Sequence, residues 1–153
     1  MTEVQAREWL SRHLAGAEAD QLERIAVSVA PARSLGLVTL LLGWYEHVAR
    51  MERELDLPDS DRSAWGAHDL IAADSLRDFI ARGLEMIPER ESRKFSAALS
   101  EVDSRFLSYT EVDELDILPR LDGDEARARG WWWARIPCSG PIRRDLDRFS
   151  ASF

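Results

Sequence analysis

The chain has 153 residues but only one cysteine, one lysine and three histidines. The lone thiol, Cys138, excludes an internal disulfide and is typical of a protein of the reducing cytoplasm, where we expect this chain to act. Residues 1–12 carry acidic side chains and no continuous apolar stretch, so we expect no signal peptide. The longest apolar run, residues 35–45, is interrupted by glycine and threonine and is too short to cross a bilayer.

Motifs of enzymes and metal sites are also missing. The histidines, His13, His47 and His68, show neither the H-x3-H nor the E-x-x-H spacing that places two metal ligands on one helix face. The acid-rich stretches at 59–61 and 122–125 lack the glycine and the glutamate that a calcium loop needs at its sixth and twelfth positions. No glycine-rich phosphate loop and no G-x-S-x-G motif occurs. We therefore expect no catalytic site, no bound metal and no cofactor.

Basic residues are outnumbered, and nearly all of them are arginine, a bias typical of a GC-rich bacterial genome. The chain holds 20 basic residues against 28 acidic ones, and its formal net charge is −8. Because nucleic-acid binding depends on neutralising phosphates, this charge argues against a nucleic-acid ligand, and it also disfavours anionic membranes. A basic protein partner would instead be attracted, and its association accelerated.

Apolar residues recur with the period of a helix along most of the chain. This pattern and its breaks at proline and glycine predict helices over 2–15, 20–30, 34–55, 67–87 and 89–109, with a short last helix from Pro141. No stretch before residue 109 alternates as a strand does. The sequence thus predicts an all-α fold: a single-domain bundle of five to six helices over 1–153, with an irregular or short extended aromatic arm at its C-terminal end.

The helical core of this prediction covers 1–109, and the character of the chain changes after it. Residues 110–125 have a net charge of −6, whereas residues 126–148 have a net charge of +4. The acidic segment could fold back on the chain's own arginines or present its carboxylates to a basic partner. The apolar residues interspersed in it are expected to dock on some other surface and to leave the carboxylates facing outward in a fixed array. Four of these carboxylates are the predicted partner-binding charges: Glu111, Asp113, Glu114 and Asp116.

Three consecutive tryptophans stand in the stretch GWWWARIP at 130–137. If this stretch is extended, which the proline favours, Trp131, Trp133 and Arg135 share one side, and Trp132 lies inward with Ala134 and Ile136. If it is helical, the three rings spread over about 200° and at least one is exposed. Since Trp and Arg are enriched at interface hot spots, Trp131, Trp133 and Arg135 are the predicted anchors, although the same rings could simply close the core.

Two late stretches resemble a known class of protein. VDSRFLSYT at 102–110 and WWWARIP at 131–137, separated by an acidic spacer, are similar to small uncharacterised bacterial immunity-type proteins of toxin–immunity pairs. The matching positions, over about a quarter of the chain, are Asp103, Arg105, Phe106, Thr110, Trp131 to Trp133, Arg135 and Pro137. The resemblance implies a non-enzymatic protein that binds and blocks a toxin, often a basic one, through an acidic surface.

The sequence therefore favours a non-enzymatic, acidic protein-binding module with a basic protein partner. Two alternatives stay open at this point. One is a helical-bundle enzyme or small-molecule binder that uses His47, with Tyr45 or Glu46, in a pocket between helices. The other is a structural subunit that uses the apolar third helix as an oligomer seam.

Overall fold

A computed structural model describes residues 3–123 and 130–153. The helices of these residues are α1 (Glu3–Ser11), α2 (Gly16–Glu23), α3 (Leu37–Arg53), α4 (Ala67–Leu84), α5 (Glu89–Tyr109), α6 (Ile117–Asp122) and α7 (Gly140–Ser150). The strands are β1 (Ala26–Ala30), β2 (Arg33–Gly36), β3 (Thr110–Val112) and β4 (Arg135–Pro137), and a short 3₁₀ helix covers Trp131–Ala134. The fold is mostly helical, with two small antiparallel sheets, β1–β2 and β3–β4.

Helix α3 is the centre of the packing. It contacts α1, α2, α4 and α5, and Leu37, Leu41, Trp44 and Val48 on it are fully buried. Its apolar surface is thus covered by the chain's own helices, which removes the reason for regarding it as an oligomer seam. Within the described ranges, no helix combines the length and the apolarity that a membrane crossing requires.

The prediction of a helix over 20–30 is wrong. Helix α2 ends at Glu23, and residues 26–36 form the antiparallel hairpin β1–β2. Its turn has Pro31 at one central position and Ala32 at the other with φ 59°, a combination that suits a type II turn. Val27 lies in the core between two exposed neighbours. Burial therefore alternates over residues 26–28, as it does in a strand. The apolar residues of the same stretch also fit the period of a helix.

A close approach fixes the hairpin against the helices. A Cβ at Gly83 of α4 would lie 2.9 Å from Val27 Cγ2 and 2.8 Å from Leu37 Cδ1. Only a residue without a side chain lets the strand and the start of α3 come so near to α4. The carboxylate of Glu23, just before the hairpin, accepts hydrogen bonds from the Thr39 amide (3.0 Å) and hydroxyl, in the first turn of α3.

The second sheet joins the acidic segment to the C-terminal arm. Strand β3 follows α5 directly, and β4 pairs with it in the register Thr110↔Pro137, Glu111↔Ile136 and Val112↔Arg135. The all-α prediction is therefore too strict, whereas the predicted extended part of the arm is confirmed for residues 135–137. Helix α7 begins at Gly140, so the predicted helix from Pro141 is confirmed too.

A buried ion pair links three helices to the arm. The guanidinium of Arg77 on α4 donates two hydrogen bonds of 2.9 Å to Asp103 on α5, and the indole of Trp44 on α3 donates a third at 3.0 Å. The same guanidinium stacks 4.2 Å from the ring centroid of Trp132. Removing one partner of such a pair leaves a buried charge, so the network holds these elements in one arrangement.

Candidate protein-binding surface

The candidate surface is built on the turn between β3 and α6. We call residues Glu111–Asp116 the acidic turn. Asp113 in this turn is only 5% exposed, because its carboxylate accepts hydrogen bonds from the amides of Ile117 (2.9 Å) and Leu118 (2.8 Å). These amides belong to the first turn of α6 and have no partner inside the helix. The prediction that Asp113 faces outward is therefore wrong, and its carboxylate caps a helix instead.

The other carboxylates of the acidic turn are exposed. Glu111, Glu114 and Asp116 point away from the core, as predicted. Asp116 has φ 52°, a left-handed conformation that aspartate tolerates better than most residues. This reversal lets the chain leave the turn directly into α6. Asp124 and Glu125, which complete the acidic segment of the sequence, lie outside the described residues, as does the start of the basic segment at 126–129.

Two aliphatic side chains beside these charges are exposed to solvent. Val112 is 58% exposed and Leu115 is 63% exposed, so neither side chain docks on the core. Ile117 and Leu118 at the start of α6 are the ones that reach the core. Between the two exposed aliphatic residues, the Glu114 carboxylate makes no ion pair with any of the described residues.

Arginine from α7 neutralises one side of the turn. Arg143 donates hydrogen bonds to Glu111, to Asp147 (3.1 Å) and to the carbonyl oxygen of Pro137 (3.1 Å). The hydrogen bond to Glu111 raises the pKa of this guanidinium above its ordinary value, although partial burial opposes that effect. A cavity of about 480 Å³ lies between the acidic turn and α7, with Glu114 and Leu115 on its lining.

Of the two arrangements that the sequence left open, the tryptophan run takes the helical one, with one ring exposed. Residues 131–134 form a turn of 3₁₀ helix, so Trp132 and Trp133 are both buried and only Trp131 is partly open, at 39%. Both buried indoles donate to one oxygen of Asp78 on α4, at 2.9 and 2.8 Å. The placement of Trp133 at an open rim is wrong. The alternative, in which the rings close the core, describes Trp132 and Trp133.

The side chain of Arg135 also binds groups of this same chain. Its guanidinium donates to the hydroxyl of Thr110 (3.0 Å) and to the carbonyl oxygen of the same residue. It therefore fastens β4 to β3. The guanidinium that stacks on a tryptophan of the run belongs to Arg77 instead.

The structure thus brings some of the predicted site residues together and separates others. Glu111, Asp113 and Arg135 meet at the β3–β4 sheet, whereas Trp133 lies against α4. Sequence reasoning missed the exposure of Val112 and Leu115 and the role of Arg143. The i,i+4 pair of Arg143 and Asp147 was the one local signal for that arginine.

His47, the residue of the alternative hypothesis, is held by its own helix. Its Nδ1 lies 2.8 Å from the carbonyl oxygen of Gly43, and its ring packs 4.9 Å from the ring of Trp65. A shallow cavity of about 340 Å³ adjoins it, with Glu46 and Arg50 on the lining. Among the residues that the structure describes, no group of three or more His, Cys, Asp and Glu side chains could hold a metal ion.

A scan against protein-family models, a search of curated proteins and a search of solved structures each gave no match. The function must therefore be inferred from the geometry of this chain.

Proposed function

We propose that this chain is a non-enzymatic protein-binding module whose acidic turn binds a basic protein partner. The observation that carries this proposal is the exposure of Val112 and Leu115 on either side of the Glu114 carboxylate. The side chains of this pair lie largely in water, and a partner that covers them would gain the free energy of burying their apolar area.

The charge around this pair indicates what kind of partner would cover it. Glu111, Glu114 and Asp116 are exposed within six residues of chain, and Asp147 of α7 is exposed beside them. Arg143 pairs with two members of this group, Glu111 and Asp147. An acidic rim around an apolar centre is complementary to a surface that carries lysine or arginine around its own apolar residues.

The backbone of the acidic turn is fixed before any partner arrives. The Asp113 amide donates to the carbonyl oxygen of Ala134 (2.9 Å), while its carboxylate caps α6. Arg135 fastens the β3–β4 sheet at the base of the turn. A surface that is ordered in the free protein loses less conformational entropy on binding, which favours affinity.

The specific form of the proposal is an immunity-type protein that blocks a basic toxin, as the resemblance of residues 102–110 and 131–137 implies. Several residues that carry the resemblance support the fold around the acidic turn. Asp103 pairs with Arg77, Thr110 accepts from Arg135, and Arg105 pairs with Glu52 at 2.8 Å. In this proposal the residues that carry the resemblance build the scaffold, and the acidic turn between them selects the partner.

Affinity capture from a lysate of the source organism tests the proposal. The native chain is compared with V112S/E114Q/L115S and with the control V4S/E85Q/M86S, which changes two exposed aliphatic side chains and one exposed carboxylate elsewhere. We expect the native chain and the control to retain one basic protein in stoichiometric amount, less of it as salt rises, and the first variant to lose it. Retention of no stoichiometric partner, or equal retention by both variants, would contradict the proposal.

A further inference from the structure

A groove between α2 and α5 differs in charge from the rest of this acidic chain. Its cavity has a volume of about 430 Å³, within the range of small-molecule pockets. Its aliphatic residues come from four parts of the chain: Leu14 between α1 and α2, Leu22 on α2, Ile25 before β1, and Ile87 before α5. Leu14 and Leu22 are buried, while Ile25 and Ile87 are half-buried against the core.

Three cations from one face of α5 line this groove. Arg90, Arg93 and Lys94 stand at positions i, i+3 and i+4, so their side chains lie on the same side of the helix. Lys94 is already paired, because its ammonium group lies 3.0 Å from the carboxylate of Glu18 on the opposite wall. Arg90 and Arg93 form no ion pair with any residue that the structure describes. Two exposed guanidinium groups therefore stand beside an aliphatic floor, with the Glu91 carboxylate on the same lining.

We propose that this groove binds a small aliphatic monocarboxylate, with its chain on the leucine and isoleucine side chains and its carboxylate at Arg90 and Arg93. Guanidinium groups bind carboxylates through paired hydrogen bonds, which fixes the head of such a ligand. The groove is lined by no aromatic side chain among the described residues, so a flexible chain suits it better than a flat ring.

The acidic residues of the lining define the charge of the ligand. Glu18 and Glu91 stand with the three cations around the groove, which leaves one net positive charge. A single carboxylate matches this charge, whereas a doubly charged phosphate would be repelled by the two glutamates. The site is independent of the acidic turn and of any protein partner.

Isothermal titration calorimetry with sodium decanoate tests this site on the full chain. We expect one decanoate to bind per chain, and R90Q/R93Q to weaken its affinity about tenfold or more. The control R33Q changes an exposed arginine of the hairpin that does not line the groove, and it should bind as the native chain does. Thermal unfolding followed by circular dichroism checks that all three proteins are folded.

Further probes of the same chain length test the head group. Decylammonium and 1-decanol should bind at least about tenfold more weakly than decanoate, and decyl phosphate more weakly as well. The proposal is overturned if the native chain does not bind decanoate, if R90Q/R93Q binds it as tightly, or if 1-decanol binds equally well. Light scattering that shows a dimer which R90Q/R93Q dissociates would assign the groove to a second copy of the chain and would likewise overturn it.

Discussion

The acidic turn and the tryptophan run meet at one end of the second sheet, yet they use their side chains in opposite ways. The run has the residues most enriched at binding interfaces, but Trp132 and Trp133 turn inward to a common carboxylate. The turn has only Val112 and Leu115 as apolar residues, and it leaves both in the open. Residue type alone therefore does not indicate which part of the arm is free to bind. The two indoles lie inward because the fold supplies an acceptor for their N–H groups, whereas the described residues leave most of the two aliphatic side chains uncovered.

The largest effect is expected within the tryptophan run itself. Replacing Trp133 by alanine removes a fully buried ring, and we expect the free energy of unfolding to fall by about 3–5 kcal/mol. Replacing Trp131, which is partly exposed and whose ring lies tilted at 6.2 Å from the ring of Phe106, should cost about 1 kcal/mol. Urea unfolding of the two variants measures the difference. Equal losses would mean that the three rings are not divided as described.

The shared carboxylate is expected to have the second largest effect. Replacing Asp78 by alanine leaves two buried indole N–H groups without their acceptor, so we expect a loss of about 2–3 kcal/mol in urea unfolding. The D78N variant keeps an oxygen acceptor at the same position and should lose less than half as much. A loss in D78N as large as in D78A would show that the charge of Asp78, and not its acceptor oxygen, stabilises the run.

The acidic turn should show a smaller effect, confined to one of its carboxylates. Replacing Asp113 by alanine removes the cap of α6, and we expect a loss of about 1–2 kcal/mol. Replacing Glu114, its exposed neighbour, should change the free energy of unfolding by no more than about 0.5 kcal/mol. Thermal unfolding of both variants tests this pair. A large loss in E114A would mean that the turn is not the open surface described above.

The smallest effect concerns Tyr109, which ends α5 at the base of the acidic turn. Its hydroxyl donates to the carbonyl oxygen of Val48 (2.8 Å), and burial raises its pKa well above the ordinary value of 10.0. The folded state thus favours the protonated phenol. This contribution to stability is complete below about pH 10, the pKa of an unfolded tyrosine, and it is lost as the pH rises through the folded value.

The Y109F variant tests this contribution. At neutral pH we expect it to lose about 1 kcal/mol with the hydrogen bond to Val48. Above about pH 10 the native chain should lose stability more steeply than Y109F does, as measured by urea unfolding at a series of pH values. Parallel pH curves for the two proteins would contradict the raised pKa.

The sequence pattern predicts correctly the helices whose ends are set by residues next to them in the chain. Helix α5 has the bounds predicted from its apolar stripe and from Pro88, and α7 begins beside Pro141. The hairpin at 26–36 was missed because Leu22, Ile25, Ala26 and Val29 fit a helical stripe as well as a strand. The sequence of this stretch allows both the period of a helix and the period of a strand. Packing against α4 and the turn at Ala32 stabilise the strand form.

The candidate surface was predicted in outline but not in detail, for a different reason. The position of the acidic carboxylates followed from composition, but the direction of each depended on distant or backbone partners. The buried rings depend on Asp78, more than fifty residues earlier in the chain. Asp113 is buried because two amides of α6 need an acceptor, which residue spacing does not reveal.

The hydrogen bond from the Asp113 amide to the carbonyl oxygen of Ala134 has a consequence for the order of folding. It joins the acidic turn to the end of the 3₁₀ helix, roughly twenty residues further along the chain, and the entropy of closing that loop opposes the contact. We therefore expect the acidic turn to become ordered only when residues 130–137 have docked. A chain that ends before residue 130 should lack the ordered form of the turn.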